Sequence, residues 1–384
     1  MSPAPPWTLT EFRGRAGLDV LEADWRRIYA AMAERTALLS FEACSLYVDH
    51  YLETPGQLRC LALGDGERTR AICVLEPRTE RRLGFPVPTW GALWLKGGNE
   101  AEVLCADPEA RRALIPVLVA HLRRHPEGRS LLTLGPVRPD SPIWEGLAGL
   151  KPGAACLEPH EGVRVIDCSR PYPEFVAGLS RNSRKALKSH ERRLAALDGA
   201  RFERAREREQ RVAAFERFME LEASGWKGRA GSAVRCQPGS AGFHAALAAD
   251  LDDCEMLTLH ADGRCLAATL LLHAGTACSG LKIAYDEAYA HLSPGNLVMA
   301  KAIELCCADP ETRVLDLVGD SPWARNWSDT VIPQQLVHIG LGGVRGAALK
   351  ALLRLRLGPL RRLARRLQGA PEGQAGPGGD HGDR

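Results

Sequence analysis

The stretch LKIAYDEAYAHLSPGNL, residues 281–297, decides the fold. Its first part ends an apolar run over 276–285 that reads as a strand, and residues 294–307 read as a helix. Ser293 suits an N-cap, and Pro294 suits the first helical position, where its missing N–H costs nothing. Gly295 leaves the backbone uncovered, so the first-turn amides of Gly295, Asn296 and Leu297 can approach a phosphate. The plain alternative is an ordinary capped helix start. A strand running into such a turn and helix places the segment in an α/β layout.

Working outward, residues 172–179 and 184–197 read as helices, 200–206 as a strand, and 212–224 and 240–251 as helices. Residues 255–261 and 264–273 form a hairpin around Asp262-Gly263. Strands over 314–318 and 335–340 close the series. Upstream, 18–35 reads as a helix, 58–63 and 70–75 as paired strands, 84–94 as an irregular Pro-rich connection or a short strand, and 108–124 as an amphipathic helix. A strand over 130–134, a short helix over 142–150 and a strand over 162–168 follow. Both halves share one order of elements without a residue-level repeat. Two tandem α/β domains are expected, residues 1–169 and 170–345, each a mixed sheet flanked by helices. Residues 346–384 form a basic helical segment and a Gly/Pro-rich tail.

Three more constellations carry chemistry. LEASGWKGRAG (221–231) closes a helix and runs into a loop bearing Trp226, Lys227 and Arg229; its plain reading is a C-cap at Gly225 with Trp226 plugging the core. LDLVGDSPWARNW (315–327) places Asp316 inside an apolar strand, where an ionised carboxylate is costly without a partner or a task; the plain reading is a solvent-facing edge position. LSRNSRKALKSHERRL (179–194) is a basic helix. Leu187 and Leu194 keep an apolar stripe while Arg181, Arg184, Lys185 and Lys188 share the remaining surface, suited to a phosphorylated substrate or a carrier. For Arg192 and Arg193 a solvated face suffices.

The whole-chain balance sets limits. The 384 residues carry 50 Lys and Arg against 47 Asp and Glu, a net +3, which excludes a nucleic-acid coat and stable nucleic-acid binding. Twelve scattered cysteines include no C-x-x-C pair and no zinc-spaced histidine, so reduced core thiols and no metal are expected. The N-terminus lacks a basic segment followed by an apolar one, and no apolar run approaches membrane-spanning length, so a soluble, cytoplasmic protein is expected. Between 346 and 368 every charged side chain is Lys or Arg, a segment suited to docking on the body, or to peripheral contact with anionic lipid or a synthase complex.

Taken together the four motifs resemble the GNAT-type acetyltransferases of the CelD-like family, named for a cellulose-biosynthesis protein. The resemblance covers roughly residues 170–340, with the motifs in the family's order. It implies the tandem GNAT architecture of the Fem peptidyltransferases and an acyl-CoA donor, acetyl-CoA foremost. The acyl thioester then lies where central strands splay apart, with its pyrophosphate on the amides of Ser293–Leu297. Two departures stand out: of the fuller GNAT phosphate loop only Gly295 is present, and the aromatic-Lys pair of relatives is Trp323-Ala324 here, which implies either Arg325 as the substitute or a different acceptor.

The mechanism expected is direct attack of an amine on the thioester. Asp286 or Asp316 takes the proton, and Tyr285 or Tyr289 protonates the departing thiolate. Lys282 holds a carboxylate partner or an acceptor phosphate, and Trp226 and Trp323 form a stacking platform for a sugar or nucleotide. Lys227, Arg184, Lys185 and Arg325 complete the substrate contacts. The function expected is N-acylation of an amine or carbohydrate acceptor, such as an amino sugar or amino acid, tied to exopolysaccharide biosynthesis. The alternatives are an aminoacyl-tRNA-dependent Fem-like transferase and a non-catalytic accessory of a polysaccharide synthase.

Overall fold

Asp262-Gly263 makes the tight turn that its dipeptide announces: both residues have positive φ, 51° and 70°, the backbone of a two-residue hairpin. That hairpin sits in a computed structural model that describes residues 7–82, 84–93, 95 and 103–342. In chain order the strands are β1 (Thr8–Arg13), β2 (Arg59–Gly64), β3 (Thr69–Arg82), β4 (Phe85–Ala92), β5 (Leu104–Cys105), β6 (Leu131–Val137) and β7 (Ala155–Asp167). Then come β8 (Arg201–Ala205), β9 (Cys254–Ala261), β10 (Arg264–Ala274), β11 (Ala277–Tyr285), β12 (Val314–Asp316) and β13 (Val331–Gly340). The helices are α1 (Gly14–Val20), α2 (Glu22–Ala31), α3 (Phe41–His50), α4 (Pro108–Arg124), α5 (Ile143–Ala148) and α6 (Tyr172–Gly178). They continue with α7 (Arg181–Leu194), α8 (Arg208–Ser224), α9 (Trp226–Arg229), α10 (Ser240–Asp250) and α11 (Pro294–Ala308).

The chain packs as two compact units. Among the described residues, 7–32, 54–161 and 333–342 form the first; 33–53 and 162–332 form the second. The first is a mixed sheet in the order β1-β2-β3-β4-β6-β13, with β5 also on β3. Among the described residues its single parallel contact is β4 with β6, Thr89 to Gly91 beside Leu131 to Thr133, made by a crossover through α4. Leu114, Leu118 and Leu122 of α4 recur at four-residue steps and are buried against Leu61, Cys73 and Leu132.

The second unit repeats that plan: an antiparallel run β8-β9-β10-β11, a crossover through α11, and β12 parallel to β11 with β7 antiparallel beyond it. All eight residues of β9 are buried, as a strand covered on both faces should be. On one face Leu297, Val298 and Ile303 of α11 pack with Leu187 and Leu194 of α7 and Phe175 of α6. On the other, α8 packs on β10 and β11, and Phe243 of α10 meets Tyr47 of α3 edge-on at 5.5 Å.

Several elements depart from the sequence expectation. The helix expected over 18–35 is two helices, α1 and α2, broken at Leu21; Leu18, Leu21, Trp25 and Ile28 stay buried across the break, so the apolar period survives it. β3 runs on to Arg82, because its polar end is held by charge pairing: Arg82 bonds Glu80 at 2.7 Å and Glu158 at 2.5 Å. Of the two readings of 84–94, irregular connection or short strand, the structure has the strand, β4, with Pro86 and Pro88 opposite Arg81 and Thr79. β12 ends at Asp316 because Val318 turns into the left-handed region, φ 56°. All twelve cysteines are free thiols, nine of them buried, and burial pushes Cys73 up to about 12. The basic segment expected over 346–384 lies outside the described residues.

Candidate functional site

The site lies wholly within the second unit, where β11 and β12 part. They pair only at Ala277–Val314, Cys278–Leu315 and Ser279–Asp316, while β11 continues to Tyr285 on β10 alone. Among the described residues the β11 edge beyond Ser279 therefore has no strand beside it, and such an edge can take an extended partner. Asp316 sits where the strands part. Its Oδ1 accepts the Val318 N–H at 2.6 Å, which fixes the left-handed turn that carries the chain away from β11.

A cleft of about 320 Å³ opens there. Ile283, Ala284 and Tyr285 of β11 form one wall, Glu222, Trp226 and Lys227 a second, and Ser293, Gly295, Asn296 and Trp323 a third. The corner between α8 and α9 explains the second wall. Gly225 ends α8, its N–H on the Leu221 carbonyl at 3.2 Å, and the chain folds back so tightly that a Cβ on Gly228 would lie 1.9 Å from the Ala223 carbonyl oxygen. Only glycine allows that approach. The fold-back leaves Trp226 41% exposed at the cleft rather than in the core.

Glu222 is 4% exposed and well held: Oε1 receives Lys227 Nζ at 3.0 Å and Oε2 the Val234 N–H at 2.7 Å. Lys227 Nζ also donates to the Ile283 carbonyl at 3.2 Å, so a cation reaches the open edge of β11. At the mouth, Glu287 accepts the Trp226 N–H at 2.6 Å and pairs with Arg229 at 2.7 Å. Arg229 first, and the Trp226 amide second, hold the Glu287 carboxyl below its ordinary range. Sequence reasoning passed over both glutamates. Glu222 stood five residues before Lys227 in the 221–231 motif, and that spacing was the available signal.

Among the described residues, one amide of the first turn of α11 has no hydrogen bond. Pro294 is at the first helical position, as expected, but Ser293 is left-handed, φ 51° and ψ 56°, and its side chain makes no cap. Its carbonyl takes the amides of Asn296 at 2.9 Å and Leu297 at 3.1 Å. Gly295, beside the Tyr285 ring, keeps its N–H for a ligand. Ser293, Gly295 and Asn296 face the cleft, while Leu297 is buried in the core. The corresponding helix start in the first unit is closed. There the Asp107 side chain accepts the amides of Glu109 and Ala110, both at 2.9 Å, which puts a carboxylate where an anion would bind.

The other expected residues fall as follows. Tyr285 and Trp323 line the cleft. Asp286 caps the turn Glu287–Leu292 by accepting the Ala288 N–H at 2.9 Å, and Tyr289 reaches Asp262 at 3.3 Å, so neither lines it. Lys282 is half-buried on β11; its carbonyl accepts the Thr269 hydroxyl at 3.0 Å, and its ammonium has no hydrogen bond among the described residues. Burial first, and Lys227 second, push its ammonium below the lysine range, against the pull of Glu222. Arg184 closes the end of α6 by donating to the carbonyls of Ala177 and Leu179, and Lys185 is exposed on α7. Arg325 is 3.8 Å from Asp320, which also receives Arg164 at 2.5 Å. Among the described residues no helix is long and apolar enough to cross a membrane, and no three side chains group as a metal site.

Residues 181–325 match the model of the acetyltransferase (GNAT) domain. No curated protein matches the sequence. Among solved structures, FemX is similar with a TM-score of 0.54 at 12% identity, over 82% of this chain and 95% of that one. A conserved protein of unknown function from Bacteroides thetaiotaomicron VPI-5482 is similar with a TM-score of 0.54 at 12% identity, over 83% and 97%. A tandem GNAT protein from the clavulanic acid biosynthesis pathway matches at 0.49 and 15%, over 88% and 99%. Residues 181–325 are thus similar to a GNAT acetyltransferase domain, and the fold of the chain is similar to that of FemX.

Proposed function

We propose that the protein is an N-acyltransferase that uses an acyl-CoA, acetyl-CoA foremost, and that its single donor site lies in the second unit. The observation that carries this reading is the parting of β11 from β12 at Ser279 and Asp316, with a cleft of about 320 Å³ running to the open amide of Gly295. The open edge of β11 suits an extended amide-bearing arm, which can pair with the strand as another strand would. The Gly295 amide, with the positive end of α11 behind it, suits the donor diphosphate. The first unit, whose helix start is filled by Asp107, takes no donor.

The acceptor amine attacks the thioester carbonyl as the C–N bond forms and the C–S bond breaks, and the amine proton ends on the released thiol. Glu222 is the buried carboxylate of the cleft, held in place by Lys227, and receives the amine proton through water. Tyr285 lines the cleft, supplies a proton to the departing sulfur and is reprotonated from Glu222 through water, which closes the balance. Trp226 and Trp323 form the apolar platform for the acceptor. The four motifs of residues 179–319 support an acceptor such as an amino sugar or amino acid from exopolysaccharide assembly.

The test is calorimetric titration with acetyl-CoA, followed by thiol release with a panel of amino sugars and amino acids. Binding that is lost on Gly295→Val, with the fold intact, supports the reading. Absence of binding by acetyl-CoA and by longer acyl-CoAs rejects it.

A further inference from the structure

Helix α7 presents an array of cations that the cleft does not use. Arg181, Lys185, Lys188 and Arg192 follow one another at steps of four, three and four residues, which superposes them on one face of a helix. At about 1.5 Å of rise per residue the stripe is roughly 16 Å long. All four side chains are exposed, and none has an ion pair among the described residues. The buried residues of the helix, Leu187 and Leu194, lie on the opposite side and anchor it in the core. Arg184 and Arg193 do not belong to the stripe: Arg184 closes α6, and Arg193 donates to the His291 carbonyl at 2.9 Å. That last bond fastens the end of α7, beside Arg192, to the turn Glu287–Leu292, whose Glu287 and Ala290 line the cleft.

We propose that this stripe docks an acidic acyl-carrier protein, so that the acyl group reaches the cleft as a pantetheine thioester on a protein as well as on free coenzyme A. The inference rests on the acyl-thioester reading above and names the form of its donor. Four cations spread along a convex helix face exceed what one nucleotide needs, and the donor diphosphate already has the start of α11. They match a row of carboxylates at the same helical spacing on a partner helix, where charge complementarity sets encounter and register. The stripe contains no aromatic side chain on which bases could stack and no exposed apolar side chain larger than alanine to enter a bilayer. The chemistry is unchanged. The acceptor nitrogen forms the C–N bond, the carrier's C–S bond breaks, and the amine proton ends on the pantetheine thiol.

The experiment compares binding of acetyl-loaded acyl-carrier protein and of acetyl-CoA to the full chain and to Arg181→Glu/Lys188→Glu/Arg192→Glu. Both ligands are titrated calorimetrically at two ionic strengths. The carrier is expected to bind the unaltered chain about tenfold tighter than acetyl-CoA, with an affinity that falls as salt rises. The triple variant should lose about tenfold or more for the carrier and change less than about twofold for acetyl-CoA. A carrier that binds no tighter than acetyl-CoA overturns the proposal, as does a variant that loses both ligands equally or neither. So does a stripe that retains tRNA or anionic phospholipid vesicles but not the carrier. If neither thioester binds, the acyl-transfer reading itself fails, which separates the two outcomes. Because the substituted side chains are exposed, thermal midpoints should agree closely; if they do not, Arg181→Gln/Lys188→Gln/Arg192→Gln serves, with an intermediate loss expected for the carrier alone.

Discussion

Glu222 Oε1 lies 3.0 Å from Lys227 Nζ across the corner between α8 and α9, with the carboxylate side chain 3% exposed and the lysine 28%. Each group has one further partner, the Val234 amide for Glu222 and the Ile283 carbonyl for Lys227. Removal of the cation leaves a buried carboxylate with half its support. Lys227→Met should therefore cost roughly 2–4 kcal/mol of stability. Glu222→Gln should cost less, since Lys227 is more exposed and keeps Ile283. The double variant should recover part of the loss, giving a coupling above about 1 kcal/mol in urea denaturation. Strictly additive single losses would show that the pair does not hold the corner.

Gly228 tests the same corner sterically. A Cβ there would stand 1.9 Å from a backbone oxygen of Ala223, and backbone cannot swing aside as a side chain can. Gly228→Ala should cost roughly 3 kcal/mol or more and shift tryptophan emission as Trp226 leaves the mouth. Gly231, three residues on, has φ +70° and open space around it. There Gly231→Ala should cost only the left-handed strain, about 1 kcal/mol. Equal losses at the two positions would sink the steric account.

Much of this site is written in local pattern. Pro294, Gly295 and the Asp262-Gly263 turn could be read because each residue type answers one backbone demand. The parallel contact of β11 with β12 could be inferred only from the strand–helix–strand order, and the point of parting could not. That point is set by Val318 entering a conformation that β-branched residues avoid, held there by Asp316. The polar ends of β3 and β7 were illegible because ion pairs such as Arg82–Glu158 join residues 76 positions apart. Arg184 could be read only for its charge, and nothing in the local pattern signals that it also satisfies the end of α6. Glu222 was passed over because burial of a carboxylate in a polar motif is decided by the fold-back at Gly228.

The first turn of α11 separates binding from stability. Ser293 is left-handed without a side-chain bond to offset the strain, so Ser293→Gly should raise stability by about 0.5–1 kcal/mol. A Cβ on Gly295 would meet the Tyr285 ring at 3.3 Å, and larger groups would stand in front of its amide. Gly295→Val should therefore lower acetyl-CoA affinity about tenfold or more, a loss of about 1.4 kcal/mol or more in binding. Its effect on the thermal midpoint should be small. Tight donor binding by the valine variant would remove this turn from the site.

His244 and Lys282 make a pH-dependent pair in the second unit. His244 is 1% exposed; Nδ1 lies 2.8 Å from the Ser240 carbonyl, and Nε2 has no partner among the described residues. Burial first, and the charge of Lys282 second, hold its pKa down to about 4 from 6.5. Between those two values the unfolded chain takes up a proton that the folded chain refuses. Stability should therefore fall as pH drops from about 6.5, with the loss complete below about 4 and totalling about 3 kcal/mol. Glu11 works in a lower window: despite its burial, Arg59 and His121 hold it at about 2, so its contribution is lost between about 4.5 and 2. His244→Phe should flatten the upper slope and leave the lower one. Lys282→Met removes a half-buried ammonium and its field, so it should raise the urea midpoint at pH 8 and move the His244 titration upward. Urea midpoints from pH 4 to pH 8 check both; a wild-type midpoint that is flat over that range, or one that Lys282→Met lowers, would show that the two groups are not opposed.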